Sequence, residues 1–201
     1  MKLCKKDCNI KIKLEPSGTQ FLGIYFDFGK MKFSFGPSSC MSGQFGELVS
    51  ALYSLYSENY DGHNEWYDRE AITYNDHTIH TIKANVSWDN EGTIMDFTMT
   101  RKITEEVISI DIKTTDGEEY SIAVDGKSFC YAVAKACTDV LKEYGIYGYR
   151  CSTEYDTFKL HQLLFIKAYA LDCMQVRELV YQDDCQKTDF NKEIELLIFD
   201  M

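Results

Sequence analysis

The sequence predicts an α+β domain: an antiparallel sheet, built from a hairpin plus a four-strand meander, with about three helices packed on one face. Three observations carry this. Apolar residues alternate singly in two blocks, Leu22–Phe35 and Ile82–Val124, which is the period of half-buried strands. They recur at helical spacing in Phe45–Tyr56, Phe129–Leu141 and Leu160–Leu171. The order of the blocks is strands, helix, strands, helices, not the βαβ alternation that builds parallel sheets. With 201 residues and no repeat or low-complexity stretch, the chain suits one domain, 1–201.

Each element has a local reason. Leu22, Ile24, Phe26 and Phe28 share one strand face, and Met31, Phe33 and Phe35 share another. A two-residue loop at Gly29-Lys30 opposes Phe28 to Met31, Phe26 to Phe33 and Ile24 to Phe35, so all seven fall on one side. Glycine first in that loop suits a type II′ turn. Asn9–Leu14 reads as a third strand beside the hairpin, and Gly36-Pro37-Ser38-Ser39 breaks the sheet. A helix is expected from Ser42, its N-cap, to Glu58, burying Phe45, Leu48, Val49, Leu52, Leu55 and Tyr56. Asn59–Asp76 reads as a loop, rich in carboxylates and without periodicity.

In the meander, Ile82, Ala84, Val86 and Trp88 form one face and Thr93, Met95, Phe97 and Met99 the next. A four-residue Asp89-Asn90-Glu91-Gly92 loop would oppose 88 to 93 and 86 to 95. Ile108, Ile110 and Ile112 then face Tyr120, Ile122 and Val124. A two-residue Asp116-Gly117 turn would mismatch those faces. A three-residue loop matches them, with Gly117 left-handed in a G1 bulge. Asp125 caps a helix that Gly145 stops. Tyr144–Tyr155 is a connector, and Asp156 caps a further helix extending to Val180. Ile194–Phe199 is an edge strand or a helical turn.

Composition limits function. The formal net charge is −11, against the basic field of a nucleic-acid binder or an anionic-membrane binder. The start, Met1-Lys2-Leu3-Cys4-Lys5-Lys6-Asp7, has no apolar signal region, and no apolar run reaches membrane-span length. The 8 cysteines therefore read as reduced thiols of a cytoplasmic protein, Cys130 and Cys137 on a core face. No metal, cofactor or catalytic residue is expected. His77 and His80 point to opposite strand faces, and Cys4-x3-Cys8 lacks the second close pair of a zinc site. Gly126-Lys127-Ser128 lacks the upstream glycine of a phosphate loop.

The stretch Ser38-Ser39-Cys40-Met41-Ser42-Gly43-Gln44-Phe45-Gly46-Glu47-Leu48, followed by Ser87-Trp88-Asp89-Asn90-Glu91-Gly92, resembles a family of small uncharacterised bacterial proteins. Its pattern is a small residue and Cys before a helix, then Trp-Asp-x-Glu. The resemblance spans residues 20–125, with Gln44 where the pattern is acidic. Some relatives resemble immunity proteins encoded beside polymorphic toxins. The resemblance supplies no catalytic residues; the missing motifs and the acidic balance favour a non-catalytic protein-binding module, whose acidic face suits a basic partner such as a toxin or nuclease. The partner-binding candidates are Asp61, Glu65, Trp66, Tyr67 and Asp68, where aromatics sit among carboxylates. The alternative reading is an enzyme or small-ligand-binding protein with a site assembled near the 144–155 connector.

Overall fold

The computed structural model describes residues 10–17, 21–38, 41–57, 67–74, 77–90, 92–152, 159–173, 180–182, 185–199 and 201. Within them the fold is α+β. Strands β1 (Lys11–Ser17), β2 (Phe21–Asp27) and β3 (Lys32–Ser38) form one antiparallel sheet in the order β1-β2-β3. Strands β4 (Tyr67–Tyr74), β5 (His77–Asn90), β6 (Thr93–Lys102), β7 (Val107–Thr114) and β8 (Glu119–Asp125) form a five-stranded meander in chain order. A small hairpin pairs β9 (Val180–Gln182) with β10 (Cys185–Lys187). The helices are α1 (Met41–Tyr56), α2 (Gly126–Ser152), α3 (Leu160–Ala170) and α4 (Phe190–Ile198).

Two hairpins have the expected registers. Phe26 pairs with Phe33 and Ile24 with Phe35, and Phe28 N donates to Met31 O at 2.8 Å. Gly29 carries the positive φ of 83° that the turn needs, and its N–H is held by Asp27 Oδ1 at 2.8 Å. Ile112 pairs with Tyr120 and Ile110 with Ile122 across a loop of 115–117, with Gly117 at φ 83°. The third hairpin differs. Asn90 pairs with Thr93 and Trp88 with Met95, so its loop is Glu91-Gly92 alone. The expected and observed registers differ by two residues on one strand, and either keeps the apolar faces matched.

Other elements depart from expectation for identifiable reasons. β3 continues through Gly36-Pro37 because a register shift absorbs one extra residue: Ile24 pairs with Phe35 and Leu22 with Ser38. α1 starts at Met41, so Ser42 lies inside its first turn and is not the cap. Residues 67–74 are strand β4, not loop; an edge strand tolerates the charged residues Asp68, Arg69 and Glu70. α2 breaks at Gly145 (φ 70°, ψ 158°), a conformation confined to glycine, but helix resumes beyond it to Ser152 inside the expected connector. α3 begins after Lys159 and ends at Ala170, with Asp172 at φ 55°, so it does not reach Val180; Asp156 lies outside the described residues. Residues 194–198 belong to α4.

The meander is amphipathic across its width. Ile82, Ala84, Val86, Trp88, Phe97, Met99, Ile108, Ile110, Ile112, Ile122 and Val124 are buried on one face. The other face is polar, with Thr98 Oγ1 bonded to Asn85 Oδ1 (2.9 Å), Ser121 Oγ to Asp111 Oδ1 (2.7 Å) and Lys113 Nζ beside Glu119 (2.9 Å). The small sheet and α1 cover the apolar face. Phe26 and Phe35 close on Trp88 at 5.3 and 5.5 Å between ring centres, while α1 packs along β5. α2 contacts both sheets, and α3 packs on α1 and α2. All of α1's expected apolar positions are buried, as are Phe129, Cys130, Val133, Ala136, Cys137 and Val140 of α2. These side chains form one continuous cluster.

Candidate functional site

Of the five residues expected to bind a partner, Asp61, Glu65 and Trp66 lie outside the described residues. Tyr67 and Asp68 open β4, where Tyr67 pairs with Ala84 and Asp68 with Lys83. β4 is an outer strand of the meander, and among the described residues no strand pairs with its other side. An edge of this kind presents a row of backbone N–H and C=O groups to which an extended segment can add. Its register is fixed by eight pairs, from Tyr67↔Ala84 to Tyr74↔His77. The segment carrying the candidate residues thus runs directly into a firmly paired strand.

A second polar constellation joins the ends of three helices to the β6–β7 turn. Arg101 Nη1 donates to Leu55 O at 2.7 Å, near the C-terminus of α1, and its other nitrogens reach Glu105 O and Ile103 O, both at 3.0 Å. Its guanidinium lies 4.3 Å from the centre of the Tyr56 ring, which stacks on Tyr169 at 4.1 Å. The Tyr56 hydroxyl donates to Glu106 O at 3.3 Å, and the Tyr169 hydroxyl to the Glu106 carboxylate. Gly126 N also donates to Glu106 O, at 2.9 Å. Burial pushes the Tyr56 hydroxyl far above its usual range, and burial with the Glu106 carboxylate does the same to Tyr169. Both phenols are therefore neutral hydrogen-bond donors. They cannot serve as bases near neutral pH, and each of Arg101's three nitrogens donates to a backbone carbonyl. The arrangement ties α1, α2 and α3 to one turn.

The start of α2 is capped. Asp125 Oδ2 accepts from Ser128 N (3.0 Å) and Ser128 Oγ (2.7 Å), and Lys127 pairs with Asp172 at 2.5 Å. A carboxylate already occupies the position where an anion would bind. Carboxylates beside the turns are also engaged: Glu105 meets Lys102 at 2.9 Å, and Glu118 accepts from the Tyr120 hydroxyl at 2.5 Å. His161 lies edge-on to Tyr53, and burial followed by the nearby Lys159 charge lowers its pKa. Cys130 and Cys137 are buried, and burial pushes the Cys137 thiol up. Among the described residues no three His, Cys, Asp or Glu side chains group as metal ligands. Among those residues, too, no helix is long and apolar enough to cross a membrane.

Sequence reasoning missed the Arg101–Tyr56–Tyr169–Glu106 constellation. Its members come from four separate elements and form no spaced motif. The one local signal was Arg101, an arginine closing a strand just before the Glu105-Glu106 doublet. No protein-family model, curated protein or solved structure matches this chain.

Proposed function

We propose that this chain is a non-catalytic, cytoplasmic protein-binding module that neutralises a basic partner, such as a toxin or nuclease, as an immunity protein does. The observation that carries the reading is the position of the candidate segment: Tyr67 and Asp68 begin an outer strand whose far side has no partner strand among the described residues. A carboxylate-rich approach to an open edge suits a basic protein. The charge of −11 raises the encounter rate with a cation and disfavours nucleic acid. Trp66 and Tyr67 supply large, low-entropy anchors beside those charges, and the edge of β4 supplies backbone hydrogen bonds for an added strand.

The test is stopped-flow binding to the product of the adjacent gene at two salt concentrations. Changing Asp61, Glu65 and Asp68 together to Asn, Gln and Asn should slow association roughly tenfold at low salt and flatten its salt dependence. Trp66→Ala should leave association nearly unchanged and speed dissociation by on the order of a hundredfold. Wild-type rates in both variants would remove this segment from the interface.

A further inference from the structure

The last helix is attached to the fold in an unusual way. Along α4 only Leu196 is buried. On the opposite side Phe190, Ile194 and Ile198 are 69%, 40% and 65% exposed. The other strong attachment is polar. Lys167 of α3 is fully buried, and its ammonium donates to Phe199 O at 2.8 Å and Leu197 O at 3.2 Å, with Thr138 Oγ1 of α2 at 3.3 Å. The last carbonyls of a helix have no amide partner within it, and a cation there also suits the helix dipole. Lys167 therefore satisfies the C-terminal end of α4 from inside another helix. At the other end α4 is capped by its own neighbour: Asp189 Oδ1 accepts from Asn191 N at 3.0 Å and Lys192 N at 3.4 Å, and Thr188 bonds Glu193.

We propose that α4 is a latch that undocks from α3 as one unit while both sheets and α1–α3 stay folded, with the Lys167 ammonium as its catch. Within α4 one side chain, Leu196, is buried, and such a lightly buried segment opens more readily than the core beneath it. Among the described residues, the side-chain hydrogen bonds at its N-terminal end are internal to residues 188–193. Opening uncovers the Lys167 amine and the seat of Leu196. It also frees a helix that is apolar on two sides, which gives the fold a segment available to a partner without disturbing the core. The groups of α2 beside Lys167 are Cys137, Asp139 and Lys142, so the uncovered amine stays among both signs of charge.

Hydrogen exchange read by mass spectrometry on the full chain tests this. In the wild type, α4 amides should exchange together and faster than those of α2 and α3. Lys167→Met and Leu196→Ala should each speed α4 exchange roughly tenfold or more, with β5–β8 and α3 unchanged. Ile194→Ser, on the exposed side, should change nothing. If Lys167→Met fails to fold, Leu196→Ala decides the matter alone. The proposal is overturned if α3 loses protection together with α4, or if α4 exchange keeps its wild-type rate.

Discussion

Replacing Trp88 tests the packing of the two sheets. The side chain is fully buried, with Phe26, Phe35 and Phe97 at 5.3, 5.5 and 5.7 Å between ring centres. A buried indole withdraws on the order of 200 Å² from water. At roughly 25 cal/mol per Å² that is about 5 kcal/mol. Two terms reduce the loss on truncation to Ala: the methyl that remains, and the Nε1–H, which has no hydrogen-bond partner among the described residues. An unpaired buried donor costs about 1–3 kcal/mol, and the substitution removes that cost. These terms leave about 1–3 kcal/mol, to which the cavity left behind adds on the order of 1–2 kcal/mol, so Trp88→Ala should lose about 2–5 kcal/mol, overlapping the range for large buried aromatics. Trp88→Phe keeps most of the ring contacts and also removes the orphaned donor, so it should lose less than about 1.5 kcal/mol. Urea unfolding followed by far-ultraviolet circular dichroism measures both. A loss below about 1 kcal/mol for Ala would refute the packing. Equal losses for Phe and Ala would refute the contribution assigned to the ring contacts.

Two further outcomes follow from other sites. A methyl at Gly126 would collide with the Tyr56 hydroxyl and stand 2.5 Å from Glu106 O, so Gly126→Ala should destabilise by roughly 1–3 kcal/mol in the same urea assay, whereas Gly43→Ala, which meets open space, should cost far less. Burial, reinforced by the Lys142 charge, pushes the Lys167 amine down to about 8 from 10.5. The unfolded chain therefore binds more protons than the folded one between those values, and the stability of the wild type relative to Lys167→Met should rise as pH increases from about 8 to 10.5 and stay level below pH 7. Thermal melts of both proteins across that range would show it, and a difference that falls as pH rises would contradict the assignment.

How much of this was readable in the sequence depended on whether a local rule had a single solution. At Gly29-Lys30 and Thr115-Asp116-Gly117 the short loop that placed the apolar faces together also put a glycine where the turn needs one, and both registers are as expected. At Asp89–Gly92 two loop lengths matched the faces equally. The observed choice leaves Gly92 at φ 114°, with its N–H bonded to Asp89 Oδ1 at 3.2 Å, a preference the pattern of apolar residues does not encode. β4 was hidden because an edge strand tolerates charge, so alternation was masked by Asp68, Arg69 and Glu70. The residues around Glu106 were beyond reach for another reason. Tyr56, Arg101 and Tyr169 meet there only after three helices and a turn have packed. Lys167 looked like one polar position in an apolar helix, and only the arrival of α4 gives its ammonium acceptors.

The most direct test of the proposed binding role is a hydrogen-exchange footprint on this chain, taken with the adjacent gene's product as the candidate partner. The account predicts slowed exchange across residues 58–74, including the amides of β4 from Tyr67 to Tyr74, with the polar face of β6–β8 unchanged. Protection confined to that polar face, with 58–74 exchanging as in the free protein, would contradict it.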